Sequence, residues 1–154
     1  MEVLGKVIGE GKSRVVYEYL LDPNWVVKVN KERVNYFGIK AVHDANADEY
    51  FWYNELKKVG LHTWLAECKY VDGLFLMRKA DKLVPGKYVI PMWFKDTNAD
   101  NWGLIDNKLV SIDYTWFHVK KQPTWYISDG KVKRREVSLE MFTSLKRKEI
   151  IVEE

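Results

Sequence analysis

The sequence predicts an α+β fold in which most neighbouring strands pair antiparallel, and three observations support this prediction. The first thirty residues contain three strand-like segments that are rich in β-branched and aromatic residues. A helical segment follows over 35–58, and Gly60 stands where such a helix should end. Later segments carry two-residue turn signals between apolar runs, which are typical of hairpins. Strands, one helix and further hairpins in this order are typical of α+β domains.

Each of the early elements has a local reason. The segments "LGKVIG", "SRVVYEYLL" and "WVVKVN" are predicted strands, and the turn signal "DPN" separates the last two. The apolar runs "LAECKYV" and "LFLMRKA" flank the dipeptide "DG", which predicts a hairpin. Pro85, Gly86 and Pro91 interrupt the next stretch, so no long helix is expected over 78–95.

Three more elements are predicted toward the C-terminus. "WGLI" and "KLVSID" should form a hairpin around "DN", and "TWYIS" and "KVKRREV" another around "DG". The segment "SLEMFTSLKRKEII" is predicted to be an amphipathic helix that begins at the N-cap Ser138. Trp93 and Phe94 are expected to be buried beside Asp96.

Composition and charge narrow the class of protein. The chain has 154 residues, which is enough for one domain with a sizeable core. Its net charge of +3 is too small to imply a nucleic-acid partner, so we expect none. No apolar run approaches the ~20 residues that a membrane helix needs, and the N-terminus does not resemble a signal peptide. The single cysteine, Cys68, fits a reducing cytosol and is expected to be a small buried apolar residue.

A lysine and a glutamate are predicted to pair across the first half of the chain. Lys28 lies in "WVVKVN", where alternation places it on the same face of the strand as Val26. Glu49 falls within an apolar helical stripe. Because burial of an unpaired carboxylate is costly, Glu49 should have a cationic partner, and Lys28 is the best candidate. The stripe consists of Val42, Ala45, Glu49, Tyr53 and Leu56.

A glycine pair and a set of oxygen-bearing side chains complete the candidate site. Gly9 and Gly11 alternate between the first two strands, and glycine allows a backbone to approach a phosphate closely. Most glycine pairs between strands are only turns, so this pair alone is weak. Asp96 and Asn101 precede the "DN" hairpin, and Asp113 follows it.

Together these residues resemble the protein-kinase-like fold. "IGEGKSRVVY" looks like its glycine-rich loop, "VVKV" like its lysine-bearing strand, and Glu49 like the helix glutamate that pairs with that lysine. Asp96 and Asn101 reproduce the D-x-x-x-x-N spacing of the catalytic loop, and Asp113 stands in the place of the metal-binding aspartate. "GKSRVVY" is similar to the loop of atypical RIO kinases. "DTNADNWGLIDNKLVSIDY" looks like compact kinase-like sequences of bacteriophages and small-molecule phosphotransferases.

The resemblance implies an N-lobe of mostly antiparallel sheet plus one main helix, with catalytic and metal-binding loops and a strongly reduced C-lobe. Residues 1–154 would be a single minimal domain, with the N-lobe and hinge over 1–80 and the reduced C-lobe over 81–154. The implied cofactors are ATP and Mg²⁺. The catalytic residues would be Asp96, Lys28 and Glu49; the ATP contacts Gly9, Gly11, Ser13, Val16, Lys28, Met77 and Lys79; and the metal ligands Asn101 and Asp113.

The chain also departs from the family pattern, and three functions therefore stay open. Arg14 replaces a third glycine, Asn98 replaces a basic residue that helps bind the transferred phosphate, and only 41 residues follow Asp113. The first function is an ATP- and Mg²⁺-dependent Ser/Thr kinase-like enzyme that acts on a protein substrate or on itself. The second is a pseudokinase-type protein that binds and inhibits a target protein. The third is a basic nucleic-acid module. A cytoplasmic location is expected, in the host cell if a bacteriophage encodes the chain.

Overall fold

The computed structural model describes residues 2–34, 38, 40–42, 44–58, 60–91, 94, 98–114, 133–138 and 150–153. The described strands are, in chain order, β1 (Leu4–Glu10), β2 (Arg14–Tyr19), β3 (Trp25–Asn30), β4 (Glu32–Val34), β5 (Lys40–Val42), β6 (Cys68–Val71), β7 (Leu74–Arg78), β8 (Lys87–Pro91), β9 (Trp102–Ile105), β10 (Lys108–Ser111), β11 (Lys133–Ser138) and β12 (Ile150–Glu153). The described α-helix is α1 (Ala45–Lys58), and short 3₁₀ turns occur at His62–Trp64 and Ala99–Asn101.

The largest sheet has five strands in the spatial order β1-β2-β3-β7-β6, and every neighbouring pair is antiparallel. Smaller sheets pair β9 with β10, β4 with β5, and β11 with both β12 and β8. The predicted α+β class and its antiparallel pairing are thus confirmed. A five-stranded sheet with one main helix is compatible with a small N-lobe-like domain. No helix among the described residues is long and apolar enough to cross a membrane.

The helix begins ten residues later than predicted, and the prediction over 35–44 is wrong in its described part. Residues 40–42 form β5, which pairs with β4. The helix starts after Asp44, whose carboxylate accepts a hydrogen bond of 3.0 Å from the Ala47 N–H and so acts as an N-cap. The predicted stop is confirmed, because Gly60 has φ +77° and the Leu61 N–H donates to the Leu56 carbonyl at 2.9 Å.

Two of the predicted hairpins are confirmed, with the expected turns. β6 and β7 are joined by Asp72 and Gly73, and β9 and β10 by Asp106 and Asn107. All four turn residues have positive φ, which tight hairpin turns of this kind require. The described residues between 78 and 95 contain no helix and include β8, as the prolines predicted.

The predictions for the C-terminal segment are confirmed in one part and wrong in another. β11 confirms a strand in "KVKRREV" and pairs with β8 and β12, whereas its predicted hairpin partner "TWYIS", 124–128, lies outside the described residues. Ser138 is the last residue of β11, and Ile150–Glu153 is a strand where the predicted helix should have ended, so that end of the helix prediction is wrong. The run "IIV" has high strand propensity, and pairing with β11 outweighs the helical periodicity. Residues 139–149 of the predicted helix lie outside the described set.

The main core lies between α1 and one face of the five-stranded sheet, and it continues past residue 80 into the later segments. Its buried members are Val26, Trp52, Leu56, Leu61, Leu65, Ala66, Cys68, Phe75, Met77, Ile90, Phe94, Trp102, Val110 and Tyr114. Cys68 is buried as predicted, and that burial raises the pKa of its thiol to about 12. A thiol of this kind is an inert apolar group, not a nucleophile.

Candidate functional site

A buried ion pair joins the sheet to the helix. Lys28 lies in the middle of β3 and shares a face of the sheet with Val26, as alternation predicted. Its ammonium is 3.0 Å from a carboxylate oxygen of Glu49 on α1. Glu49 is 0% exposed and Lys28 is 6% exposed. The predicted pairing of these two residues is therefore confirmed.

Arg14 adds a second cation to the same carboxylate. It opens β2, and its guanidinium donates to Oε1 of Glu49, to Oδ1 of Asn46 at 3.2 Å and to Oδ1 of Asp113 at 3.3 Å. Arg14 is 6% exposed. One side chain thus links β2, α1 and the segment that follows β10.

The other oxygen of Glu49 is bound by the backbone. Oε2 accepts a hydrogen bond of 2.8 Å from the N–H of Tyr114, and the Lys28 ammonium donates to the carbonyl of Ile112. The Tyr114 hydroxyl is anchored in turn on the Ala66 carbonyl at 2.7 Å. Segment 112–114 is therefore held on both sides of Asp113 by the ion pair.

The surroundings of Glu49 favour its ionised form. Burial alone would raise the pKa of this carboxyl, but Lys28 and Arg14, with the hydrogen bonds from Arg14 and Tyr114, hold the pKa below its usual value. Burial lowers the pKa of the Lys28 ammonium, and Glu49 opposes this effect. Two buried cations, Lys28 and Arg14, thus share the buried anion Glu49, and the partly exposed Asp113 pairs with Arg14 as a second anion.

The β9–β10 hairpin brings the two predicted metal ligands to neighbouring backbone positions. The Ile112 N–H donates to the Asn101 carbonyl at 2.9 Å, so Asn101 lies across from the residue before Asp113. Asn101 is positioned by a 3₁₀ turn that the Asn98 side chain caps, through a 3.1 Å bond from the Asp100 N–H. Asn98, at the position where the kinase-like resemblance implies a basic residue, thus has a local structural role. The Asp113 side chain is 44% exposed and accessible to a ligand.

The glycine turn lies at the start of the same strand as Arg14. The Gly11 N–H donates to the Arg14 carbonyl at 2.9 Å, and the Ser13 carbonyl accepts from the Lys31 N–H at 2.7 Å. Neither Gly9 nor Gly11 has a positive φ, so neither needs glycine for its conformation. A Cβ at Gly11 would meet nothing within 4 Å, whereas one at Gly9 would contact Val16 at 3.7 Å. Gly11 therefore leaves space beside the turn, but its N–H is bonded to Arg14 and its carbonyl accepts from the Lys31 ammonium at 2.9 Å.

The predicted hinge is connected to the β9–β10 hairpin. Asp81 and Leu104 exchange two backbone hydrogen bonds of 2.8 and 2.9 Å. The Met77 side chain is buried in the core, and the Lys79 N–H already donates to the Asn24 carbonyl at 2.8 Å. Met77 and Lys79 are both predicted to contact ATP. The Met77 side chain and the Lys79 N–H are already engaged, so only their other atoms are accessible to a nucleotide.

Asp96, the predicted catalytic base, lies outside the described residues, as does Trp93. Phe94 is buried as predicted, and its ring centre is 4.8 Å from that of Trp102 in an edge-on arrangement. The catalytic role of Asp96 stays a prediction.

Sequence reasoning missed the role of three residues: Arg14, Asn46 and Tyr114. For two of them a signal existed. Arg14 is two residues from Val16 on one strand, and Asn46 is three residues from Glu49 on one helix, so each shares a face with a predicted site residue. No sequence pattern predicts the bond from the Tyr114 N–H, because it depends on how the segment after β10 meets α1.

The donor set fits a hard divalent cation that is held largely by phosphate oxygens. Asn101 and Asp113 offer an amide and a carboxylate, which are ligands of the kind that Mg²⁺ binds together with substrate phosphates. No group of three His, Cys, Asp or Glu side chains suited to a metal occurs in the part of the chain that the structure describes. Comparison with protein-family models, curated proteins and solved structures found no match to this chain.

Proposed function

We propose that this chain is a kinase-like protein that binds ATP with Mg²⁺ and transfers a phosphoryl group to Ser or Thr hydroxyls, on a protein substrate or on itself. The observation that carries the proposal is the buried Lys28–Glu49 pair and its connection to segment 112–114. This places the lysine, the helix glutamate and a partly exposed aspartate in one network, in the order that the kinase-like resemblance implies.

Each residue has a role in this proposal. Lys28 binds phosphate oxygens, Gly11 leaves space for them because it has no side chain, and Glu49 keeps Lys28 in position. Asn101 and Asp113 hold Mg²⁺, which when bound neutralises negative charge on the phosphates. Asp96 orients the attacking hydroxyl and accepts its proton.

The test separates binding from transfer. Asp113 acts in the bound ground state, so Asp113→Ala should abolish the Mg²⁺-dependent rise in melting temperature that ATP produces. Asp96→Ala should keep this rise and lose phosphoryl transfer, because its role arises only in the reaction. Asp100→Ala is the matched control, since it removes an exposed carboxylate one residue from Asn101 and should change neither readout.

A protein that binds ATP would gain about 2.7 kcal/mol of stability at a ligand concentration of a hundred times Kd. If wild type shows no shift with millimolar ATP and Mg²⁺, the nucleotide site is refuted. If it shifts but never labels itself or another protein with radioactive phosphate, the enzyme proposal fails and the binding site stands.

One observation favours a second candidate, the pseudokinase-type protein that binds and inhibits a target. The guanidinium of Arg14 lies 3.3 Å from Asp113, so the predicted metal ligand already has a cationic partner. In this candidate the charged network positions parts of the fold, and the protein transfers no phosphate. A wild-type protein that binds its target but transfers no phosphate would support this candidate over the enzyme.

A further inference from the structure

Arg14 places a permanent positive charge against the predicted metal ligand. An arginine stays protonated at all working pH values. Its guanidinium is fixed from the inside by Glu49 and Asn46 and reaches Asp113 from there. A cation that approaches Asp113 from solvent therefore meets a second cation behind the carboxylate.

Arg14 and Asp113 differ in their exposure to solvent. Arg14 is 6% exposed, while the Asp113 side chain is 44% exposed. Asp113 is accessible to ligands from solvent, but Arg14 cannot leave without breaking its bonds to the fully buried Glu49. The charge of Arg14 is thus a lasting part of the site, not a surface pair that opens freely.

We propose that Arg14 keeps divalent cations away from Asp113 until a polyphosphate supplies compensating negative charge. Like charges a few ångströms apart repel strongly where water is partly excluded, so a metal ion alone binds poorly. A triphosphate adds several negative charges and reverses this balance. The site therefore takes up metal and polyphosphate together. The inference rests on the proposed function in one respect, that Asp113 is the carboxylate that takes the metal.

The test uses Mn²⁺ alone, measured by the loss of the electron paramagnetic resonance signal of the free ion. Wild type should not bind Mn²⁺ detectably at Asp113 up to about 1 mM, near the weak end of protein sites for hard divalent cations. Arg14→Gln should bind Mn²⁺ at least about tenfold more tightly, because a neutral amide replaces the repelling charge. The double variant Arg14→Gln/Asp113→Asn should lose this gain.

Lys31→Gln is the matched control. Lys31 carries a cation beside the same turn, where it pairs with Glu10 at 2.6 Å and not with Asp113. Its removal should leave Mn²⁺ binding at the wild-type level. An equal gain in this variant would mean that overall charge, and not Arg14, sets the affinity.

The inference is overturned if Arg14→Gln, shown by circular dichroism to be folded, binds Mn²⁺ no better than wild type, or if the gain survives loss of Asp113. If the variant does not fold, wild type still decides. Mn²⁺ binding without nucleotide that Asp113→Asn removes contradicts the inference. No binding without nucleotide, but binding with a non-hydrolysable ATP analogue that exceeds the Mn²⁺ bound by the analogue alone and that Asp113→Asn removes, supports it. The Mn²⁺ gain in Arg14→Gln needs no nucleotide. It therefore survives a failure of ATP binding, and the two proposals fail separately.

Discussion

The two faces of the five-stranded sheet are buried in different ways. On the face that meets α1, β3 presents Val26 and Lys28, and Lys28 enters a network of buried charges. On the opposite face, Trp25 and Val27 of β3 and Leu76 of β7 form a wholly apolar cluster. Every member of that second cluster belongs to the strands of the sheet itself.

The apolar face shows that this sheet can be buried without charges. A buried ion pair is weak evidence for stability, because the cost of removing two charges from water offsets most of their attraction. The network of Arg14, Lys28 and Glu49 is therefore better explained by what it positions than by the stability it adds. What it positions is segment 112–114, with Asp113 in the middle.

The largest expected effect comes from removal of the shared anion. Glu49→Ala leaves Lys28 and Arg14 buried without a carboxylate, and loss of one partner of a buried pair costs about 3–5 kcal/mol. Urea unfolding should show this fall in the free energy of unfolding. A loss under about 1 kcal/mol would mean that Lys28 and Arg14 become hydrated in the folded state of the variant.

A cavity on the apolar face should cost somewhat less and affect stability only. Leu76→Ala removes a side chain that is 1% exposed, and such changes cost about 2–5 kcal/mol. Because the side chains of this cluster lie on the opposite face of the sheet from the charged network, the proposed melting shift with ATP and Mg²⁺ should remain at a temperature where the variant is folded. Disappearance of that shift would show that the two faces are coupled.

Acid should destabilise the charged face selectively. The pKa of Glu49 is held below its usual value, so its stabilising contribution is complete above the unfolded pKa, about 4.3, and is lost as pH falls through the folded pKa. The free energy of unfolding of wild type should thus decline more steeply below about pH 4.3 than that of Glu49→Gln. Parallel acid curves for the two proteins would contradict the assignment of an ionised Glu49.

The smallest change in stability is expected when all three charges are replaced together. Arg14→Leu, Lys28→Met and Glu49→Leu remove the desolvation cost, which favours folding by about 1–4 kcal/mol. The Tyr114 N–H and the Ile112 carbonyl lose partners, which costs about 1–3 kcal/mol each. The free energy of unfolding should therefore stay within about 2 kcal/mol of wild type, while ATP no longer shifts the melting temperature. A triple variant that does not fold would mean that the charges specify this sheet-to-helix packing.

Prediction from sequence was most successful where a local pattern has one solution. Turn dipeptides placed the β6–β7 and β9–β10 hairpins, and alternation in β3 with a carboxylate on an apolar stripe predicted the Lys28–Glu49 pair. It failed where two local preferences compete. Residues 40–42, which were predicted to be helical, form β5, because Asp44 caps the helix at a later residue.

The sequence by itself determined the α+β class, the turns and which residues of β3 share a face, because these follow from backbone geometry within a few residues. Only the tertiary structure decided that β11 pairs with β8 and β12, and that Arg14 and Lys28 share one carboxylate with the backbone of Tyr114. These contacts join segments up to 65 residues apart along the chain. Such contacts depend on how several faces fill one core together, and no single segment carries that information.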